Sequence, residues 1–205
     1  MPERFQWQSA LANLGLEARA REPVGEAGVV LRERRIGTQL AIRGDAGNAA
    51  VGAAVEEILG LGLPIEPKTA RRGRGAAILW LGPNEWLAVL AAENDGTLPA
   101  RFDDALSDVH HAVSDVSHSR CVIAIEGPNA RDVLMKGTNV DLHPRVFTPD
   151  SCIHARFARC HALFHRLDDG GGFDVYVHRS FAVYAWTWLC DAAREYGVAV
   201  RSGVE

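Results

Sequence analysis

The chain has 205 residues, 47% of them hydrophobic and 23% charged, with a net charge of −4 and a pI near 6.1. That length can bury a sizeable core in one large domain or in two small ones packed together. The mild acidity argues against a general nucleic-acid binder, and no run reaches the ~18 apolar residues that a membrane-spanning helix needs.

The first residues, "MPERFQWQ", put charge where a signal peptide would carry its apolar segment. Cys121, Cys152, Cys160 and Cys190 show no CxxC spacing, so reduced thiols in a cytoplasmic protein are expected. Residues 1–38 read as an N-terminal arm. Trp7, Leu11 and Leu14 fall at i, i+4, i+7 and predict one short amphipathic helix. The following "REPVGEAGVVLRERRIG" mixes charge, Pro and Gly, which predicts extended chain with one strand, lying against something else.

Residues 39–205 read as two copies of one plan, 39–112 and 113–205. The copies open with "QLAIRGDAGNAAVGAAVEEILGLGLP" and "CVIAIEGPNARDVLMKGTNVDLHP", each a strand, a turn glycine, a helix, then Gly and Pro. The turn glycines are Gly44 and Gly127, and 127 − 44 = 83 residues. In the first helix Val51, Val55, Ile58 and Leu59 make the apolar face. In the second, Pro128 suits a first helical position and Gly137 a left-handed cap. "AAILWLG" and "EWLAVLAA" flank "PN" as a hairpin, and Thr97 caps "LPARFDDALSDV". "SCIHARFA", "CHALFHRL" and "FDVYVH" alternate like strands, with "DDGGG" as the tight turn between the last two. Ser180 is expected to cap "FAVYAWTWLCDAAREYG". The fold class is therefore α+β: duplicated β-α-β-β-α subdomains with mainly antiparallel sheets and an extended N-terminal arm.

"SDVSH" (114–118) sets Asp115, Ser117 and His118 close together, as a hydrolase might. A triad needs groups converging in space, and neighbours along a strand or turn rarely do so; a GxSxG elbow is missing too. The expected role is backbone hydrogen bonding at a strand entry. Cys152, His154, Cys160, His161 and His165 suit zinc by type. On alternating strands they cannot all share a face, so half-buried strand residues are expected and no metal site. "ARRGRG" (70–75) is the densest basic spot and could hold a phosphate; a solvated turn is the expected reading.

"DVSHSRCVIAIEGPNARDVL" resembles a stretch recurring in aminomethyltransferase-like, folate-binding proteins. "LGPNEWL", "VSDVSHSR", "GPNARDVLMKG", "DLHPRVF", "HRLDD" and "FDVYVHRSFA", in that order, resemble more narrowly the gamma-subunit family of heterotetrameric sarcosine oxidases, over about residues 30–197. The resemblance implies a complex of alpha, beta, gamma and delta chains. That complex oxidises sarcosine to glycine with oxygen, giving peroxide and, with tetrahydrofolate, 5,10-methylenetetrahydrofolate. It implies FAD, FMN, NAD and zinc in the other subunits and none in this one, with alpha as the chief partner. Active aminomethyltransferases carry carboxylates in two motifs that read here "RGRGAAILWLG" and "RLDDGGG". Only Asp168, Asp169 or Asp174 could face a pterin ring, and none sits in the motif. Catalytic, cofactor-binding and metal residues are therefore expected to be absent from this chain, with Asp115, Ser117, His118, Gly127 and Pro128 serving as scaffold. The competing reading is a stand-alone folate-binding aminomethyltransferase or RNA-modification relative.

Under the resemblance, Phe5, Trp7, Leu11 and Leu14 predict an arm that docks on the alpha chain while residues 40–197 fold without it. On the last helix Phe181, Trp188 and Leu189 are expected to point inward. Trp186 lies roughly 120° from that stripe, at 100° per residue. It is either a flank of the same core or an anchor for a partner.

Overall fold

The computed structural model of the chain describes residues 8–21, 26–35, 37–92, 96–167, 170 and 172–202. A turn of 3-10 helix at Ala12–Leu14 and one helical turn α1 (Leu16–Arg19) precede strand β1 (Val29–Arg34). The first half then runs β2 (Thr38–Gly44), α2 (Ala49–Leu59), β3 (Ala70–Gly73), β4 (Ala76–Gly82), β5 (Glu85–Leu90), α3 (Leu98–Ala105) and β6 (His111–Asp115). The second half runs β7 (Arg120–Glu126), α4 (Ala130–Met135), β8 (Cys152–Phe157), β9 (Cys160–Arg166), β10 (Phe173–His178), α5 (Ala182–Ala192) and β11 (Val198–Arg201).

Hydrophobic alternation sorts these strands into two sheets packed face to face, each with helices on its outer side. One sheet has the order β3-β4-β5-β2-β6, the other β8-β9-β10-β7-β1-β11. The two orders match strand for strand, except that β1 is inserted between β7 and β11. Every pairing is antiparallel apart from β1 with β11. The insertion explains that exception. β11 keeps the direction that β6 has in the first half, but the strand now lying beside it runs the same way.

Leu40, Ile42, Ile78, Trp86 and Ala88 of the first sheet meet Val51, Ala54 and Val55 of α2 and Phe102 of α3. Asn48 caps α2, its side chain accepting from Ala50 N–H at 2.9 Å, and Gly60 ends it at φ 71. On the other outer face, Ile123, Ile125, Phe164, Val175 and Val177 meet Ala130, Val133 and Leu134 of α4 and Ala185, Trp186 and Leu189 of α5. Between the sheets, Ala70, Leu79, Leu87 and Val89 press on Val122, Cys152, Leu163 and Tyr176.

The structure revises several local expectations. The arm is not a separate element. β1 is an interior strand, and Leu11 is 1% exposed inside the second-half core, with Leu14 half-buried beside it. Gly15, at φ 60, breaks the expected helix into two short turns. Phe5 and Trp7 lie outside the described residues. The "ARRG" of the basic loop is the edge strand β3, which buries Ala70 and leaves Arg71 and Arg72 exposed. The division between 112 and 113 cuts through β6, because His111–Asp115 pairs as one strand with β2.

Helix starts move as well. Pro128 is not the first helical residue: Asn129 is the N-cap and α4 begins at Ala130. Gly137 is needed for space and not for handedness: an added Cβ would lie 2.7 Å from the rings of Phe157 and Trp188. Ser180 sits inside a 3-10 turn, Arg179–Phe181, and Phe181 becomes the N-cap of α5. With Phe181 off the helical phase, the buried stripe is Ala182, Ala185, Trp186 and Leu189. Trp186 is 1% exposed, so it is a core residue of this chain and offers no surface to a partner.

Gly127 meets two requirements at once. Its φ is 106, and an added Cβ would lie 2.5 Å from the carbonyl oxygen of Gly28. Asn129 N–H donates to that same oxygen at 3.1 Å, so the "GPN" turn seats the entry to β1.

Leu11→Ala should lower unfolding free energy by about 2–5 kcal/mol in urea titration, as for other fully buried leucines. Deleting residues 1–30 removes Leu11 and the first two residues of β1, and should abolish cooperative unfolding. A truncated chain with the full-length midpoint would contradict this.

Candidate functional site

The "SDVSH" segment leaves β6 and turns into β7 where the two sheets join. Ser117 Oγ accepts from Gln39 N–H at 3.0 Å and donates to the Asp115 carboxylate at 2.5 Å. Asp115 also accepts from Ser117 N–H at 2.9 Å, and Val116 N–H donates to Gln39 O at 2.8 Å. The hydroxyl is therefore tied to a carboxylate and a backbone amide. The neighbouring His118 is exposed and, among the described residues, bonds to neither. A nucleophile needs a base on its hydroxyl, and the geometry here instead stitches the end of β2 to the sheet crossing.

The cysteines and histidines disperse. Cys152 faces the other sheet and donates to Thr69 O and Trp80 O at 3.2 and 3.4 Å; burial pushes its thiol up to about 12. Cys160 points to the opposite face and donates to Phe157 O at 3.3 Å. Among the described residues no group of three or more His, Cys, Asp or Glu side chains could hold a metal ion.

The densest buried chemistry lies elsewhere, at one end of the inter-sheet layer. A cavity of about 270 Å³ there is lined by Arg34, Arg72, Ala77, His165, Asp174 and Tyr176, among others. Alternation along β10 turns Asp174 and Tyr176 toward the first sheet, while Phe173, Val175 and Val177 face the helices. Asp174 is 4% exposed and takes the Arg34 Nε–H at 2.8 Å. Burial pushes its carboxyl up, against the opposing pull of the Arg34 guanidinium. His165 is 1% exposed, with Nε2 3.8 Å from Asp150 Oδ1. Asp150, at φ 59, also takes the Arg72 guanidinium. The His165 ring holds the Asp150 carboxyl below the usual carboxylate range, with burial opposing and Arg72 assisting.

Asp174 is thus the one described carboxylate among the three that could have faced a pterin, since Asp168 and Asp169 lie outside the described residues. Its Oδ1 is taken by this chain's own Arg34, and the strand opposite supplies Ala76 and Ala77, not a second carboxylate. These residues do not fit a folate ring. The sequence reading had no signal for Arg34, Arg72, Asp150 and His165 acting together, because they come from four separate segments. The nearest clue was an Asp directly before a strand that begins with Ser and Cys.

A family model described as "Sarcosine oxidase, gamma subunit family" matches residues 43–195. The chain belongs to that family. A sarcosine oxidase subunit gamma from Corynebacterium sp. (strain U-96) is 37% identical over 196 residues, covering 94% of this chain and 92% of the relative. A solved structure of heterotetrameric sarcosine oxidase from Corynebacterium sp. U-96 superposes with a TM-score of 0.82 at 34% identity, over 93% of this chain and 96% of the matched chain. The glycine cleavage system aminomethyltransferase T from Bartonella henselae shares the fold, with a TM-score of 0.59 at 15% identity over 93% of this chain and 51% of that one. The resemblance drawn from the motifs and the α+β duplicated fold both stand.

Asp150→Asn keeps the left-handed backbone, which Asn tolerates, and removes the charge. A depressed carboxyl stabilises the folded chain above its unfolded value, ordinarily 3.8, and that contribution is lost as pH falls through the folded value. The substitution should therefore cost at most about 1 kcal/mol at pH 7, given the partial exposure, and the gap should close below about pH 4. Urea unfolding at pH 7, 5, 4 and 3 checks it. A gap unchanged at pH 3 would show that the carboxylate charge is not the cause.

Proposed function

We propose that this chain is the gamma subunit of a heterotetrameric sarcosine oxidase, an assembly component that carries no catalytic group of its own. The observation that carries the reading is its full-length similarity to a subunit of that complex, 37% identical over 94% of the chain. The complex would transfer the methyl carbon of sarcosine to tetrahydrofolate and two electrons to oxygen, giving glycine, 5,10-methylenetetrahydrofolate and hydrogen peroxide. FAD, FMN, NAD and zinc would reside in the alpha, beta and delta chains, with alpha the chief partner and the cytoplasm the setting. The closed Arg34–Asp174 pair and the hydroxyl-bound Asp115–Ser117 pair support a supporting role for this subunit. No helix among the described residues is long and apolar enough to cross a membrane.

Purified alone, the chain should show no flavin absorption, turn over no sarcosine and bind no tetrahydrofolate in equilibrium dialysis. Co-expressed with the other three chains, it should co-purify with flavin. Tetrahydrofolate binding by the isolated chain would favour the stand-alone folate-binding alternative. In the assembled complex, His118→Gln should leave turnover per flavin nearly unchanged. A loss of ~100-fold or more, the size expected for a general base, would place His118 in the chemistry.

A further inference from the structure

At the end of the inter-sheet layer away from the Asp174 cavity, the six-stranded sheet carries a row of basic side chains. Arg156 of β8 stands opposite His161 of β9, and His178 of β10 stands opposite Arg120 of β7. The β9–β10 ladder reaches Val177 opposite Ala162, which puts His178 next in register with His161. The row therefore crosses four adjacent strands without interruption, about 14 Å at the usual strand spacing. All four share the face of Val122, Leu163, Tyr176 and Cys152, since each is an even number of residues from one of these on its own strand. His154 lies on the same face, its ring centroid 5.7 Å from that of His161. His154, Arg156, His161 and His178 are exposed and Arg120 is half-buried.

A run of basic side chains across neighbouring strands would ordinarily be offset by acids set among them. Among the described residues Arg156 donates to the carbonyl of Ala158 at 3.0 Å and Arg120 to Ser119 Oγ at 3.1 Å, both neutral oxygens. Glu85 of β5, which acts on both Arg120 and His154, is itself paired with Arg43 of β2 at 3.0 Å. Arg179, in the turn after β10, adds a further cation at the Arg120 end and donates to Gln8 O. The accumulation is local, because the whole chain carries a net charge of −4.

We infer that this row is a docking surface for a carboxylate-rich segment of another subunit. The inference rests on the subunit reading proposed above and adds the place and chemistry of one contact. Guanidinium groups at both ends can each grip a carboxylate through two N–H groups. The imidazoles between them offer further N–H donors to the same carboxylates. A nucleic acid fits less well: the patch is short, the chain is acidic overall, and a phosphate backbone rewards a long basic track.

The surface also couples assembly to pH. Burial holds His154 below the usual imidazole range, with His161, Arg120 and His178 acting in the same direction and Glu85 opposing. Carboxylates docking on the row reverse that balance, so association takes up protons and tightens as pH falls from 8 to 6.

The test uses tagged full-length chain captured on a biosensor, with the remaining co-expressed subunits as analyte, at pH 6 and 8 and from low to high salt. Arg156→Glu combined with His161→Glu should weaken association on the order of tenfold at low salt, shrinking toward parity at 1 M salt. His161→Lys should preserve association, and His154→Gln should reduce its pH dependence. These side chains are exposed, and matching thermal midpoints would show that the variants fold. Affinity of the double variant within about twofold of the parent at every salt and pH would overturn the docking surface while leaving the subunit reading intact. A parent chain that captures no flavin-bearing subunit would overturn both. Loss of heparin or RNA binding by the double variant, with unchanged subunit affinity, would assign the row to a different class of partner and overturn the proposal.

Discussion

Eight side chains hold the two sheets face to face: Ala70, Leu79, Leu87 and Val89 from one, Val122, Cys152, Leu163 and Tyr176 from the other. Neither sheet could present this face to water without exposing a contiguous apolar patch. The contact also decides where polar groups can go. At one end Asp174 and His165 are buried with it: Asp174 takes Arg34, and Asp150, which also takes Arg72 of the other half, stands 3.8 Å from His165 Nε2. At the other end most of the basic row of the six-stranded sheet is left exposed. The inter-sheet layer thus ends in a cavity lined by the chain's own ion pairs on one side and in exposed basic side chains on the other.

The inserted strand β1 ties the N-terminal segment into this arrangement. It completes the sheet between β7 and β11, and its Arg34 reaches across to Asp174. Gly28 and Gly127 make the entry possible, because their backbones approach more closely than any side chain would allow. The duplicated plan and the odd parallel pair are therefore one fact: a two-copy fold with one extra strand threaded into the second copy.

Much of this was legible in the sequence. The Gly127 turn, the α2 face and the hairpin around Pro83-Asn84 follow from periodicity and turn chemistry alone, whereas Gly44 proves to be the last residue of β2. What escaped notice shares a cause. β3, β6 and β11 have four or five residues each and owe their existence to pairing partners far along the chain, so local pattern could not find them. β1 was visible as a strand, but the charges of "LRERR" hid that it lies inside a sheet. Trp186 was misplaced by one local event, a 3-10 turn that removes Phe181 from the helical phase. The Arg34–Asp174 and Arg72–Asp150–His165 contacts unite distant segments and have no signature within any window.

The assembly role proposed above would make this fold a framework. Framework requires that the halves act as one body, and the inter-sheet contact is what makes them so. Fluorine NMR of chain labelled with 5-fluorotryptophan tests this directly, because Trp86 and Trp186 report separately on the two outer cores. In a urea titration both native resonances should vanish with the same midpoint and slope, as in a single cooperative transition. A Trp86 signal lost at a distinctly different urea concentration from that of Trp186 would show that the halves unfold independently and that the contact between the sheets does not govern the fold.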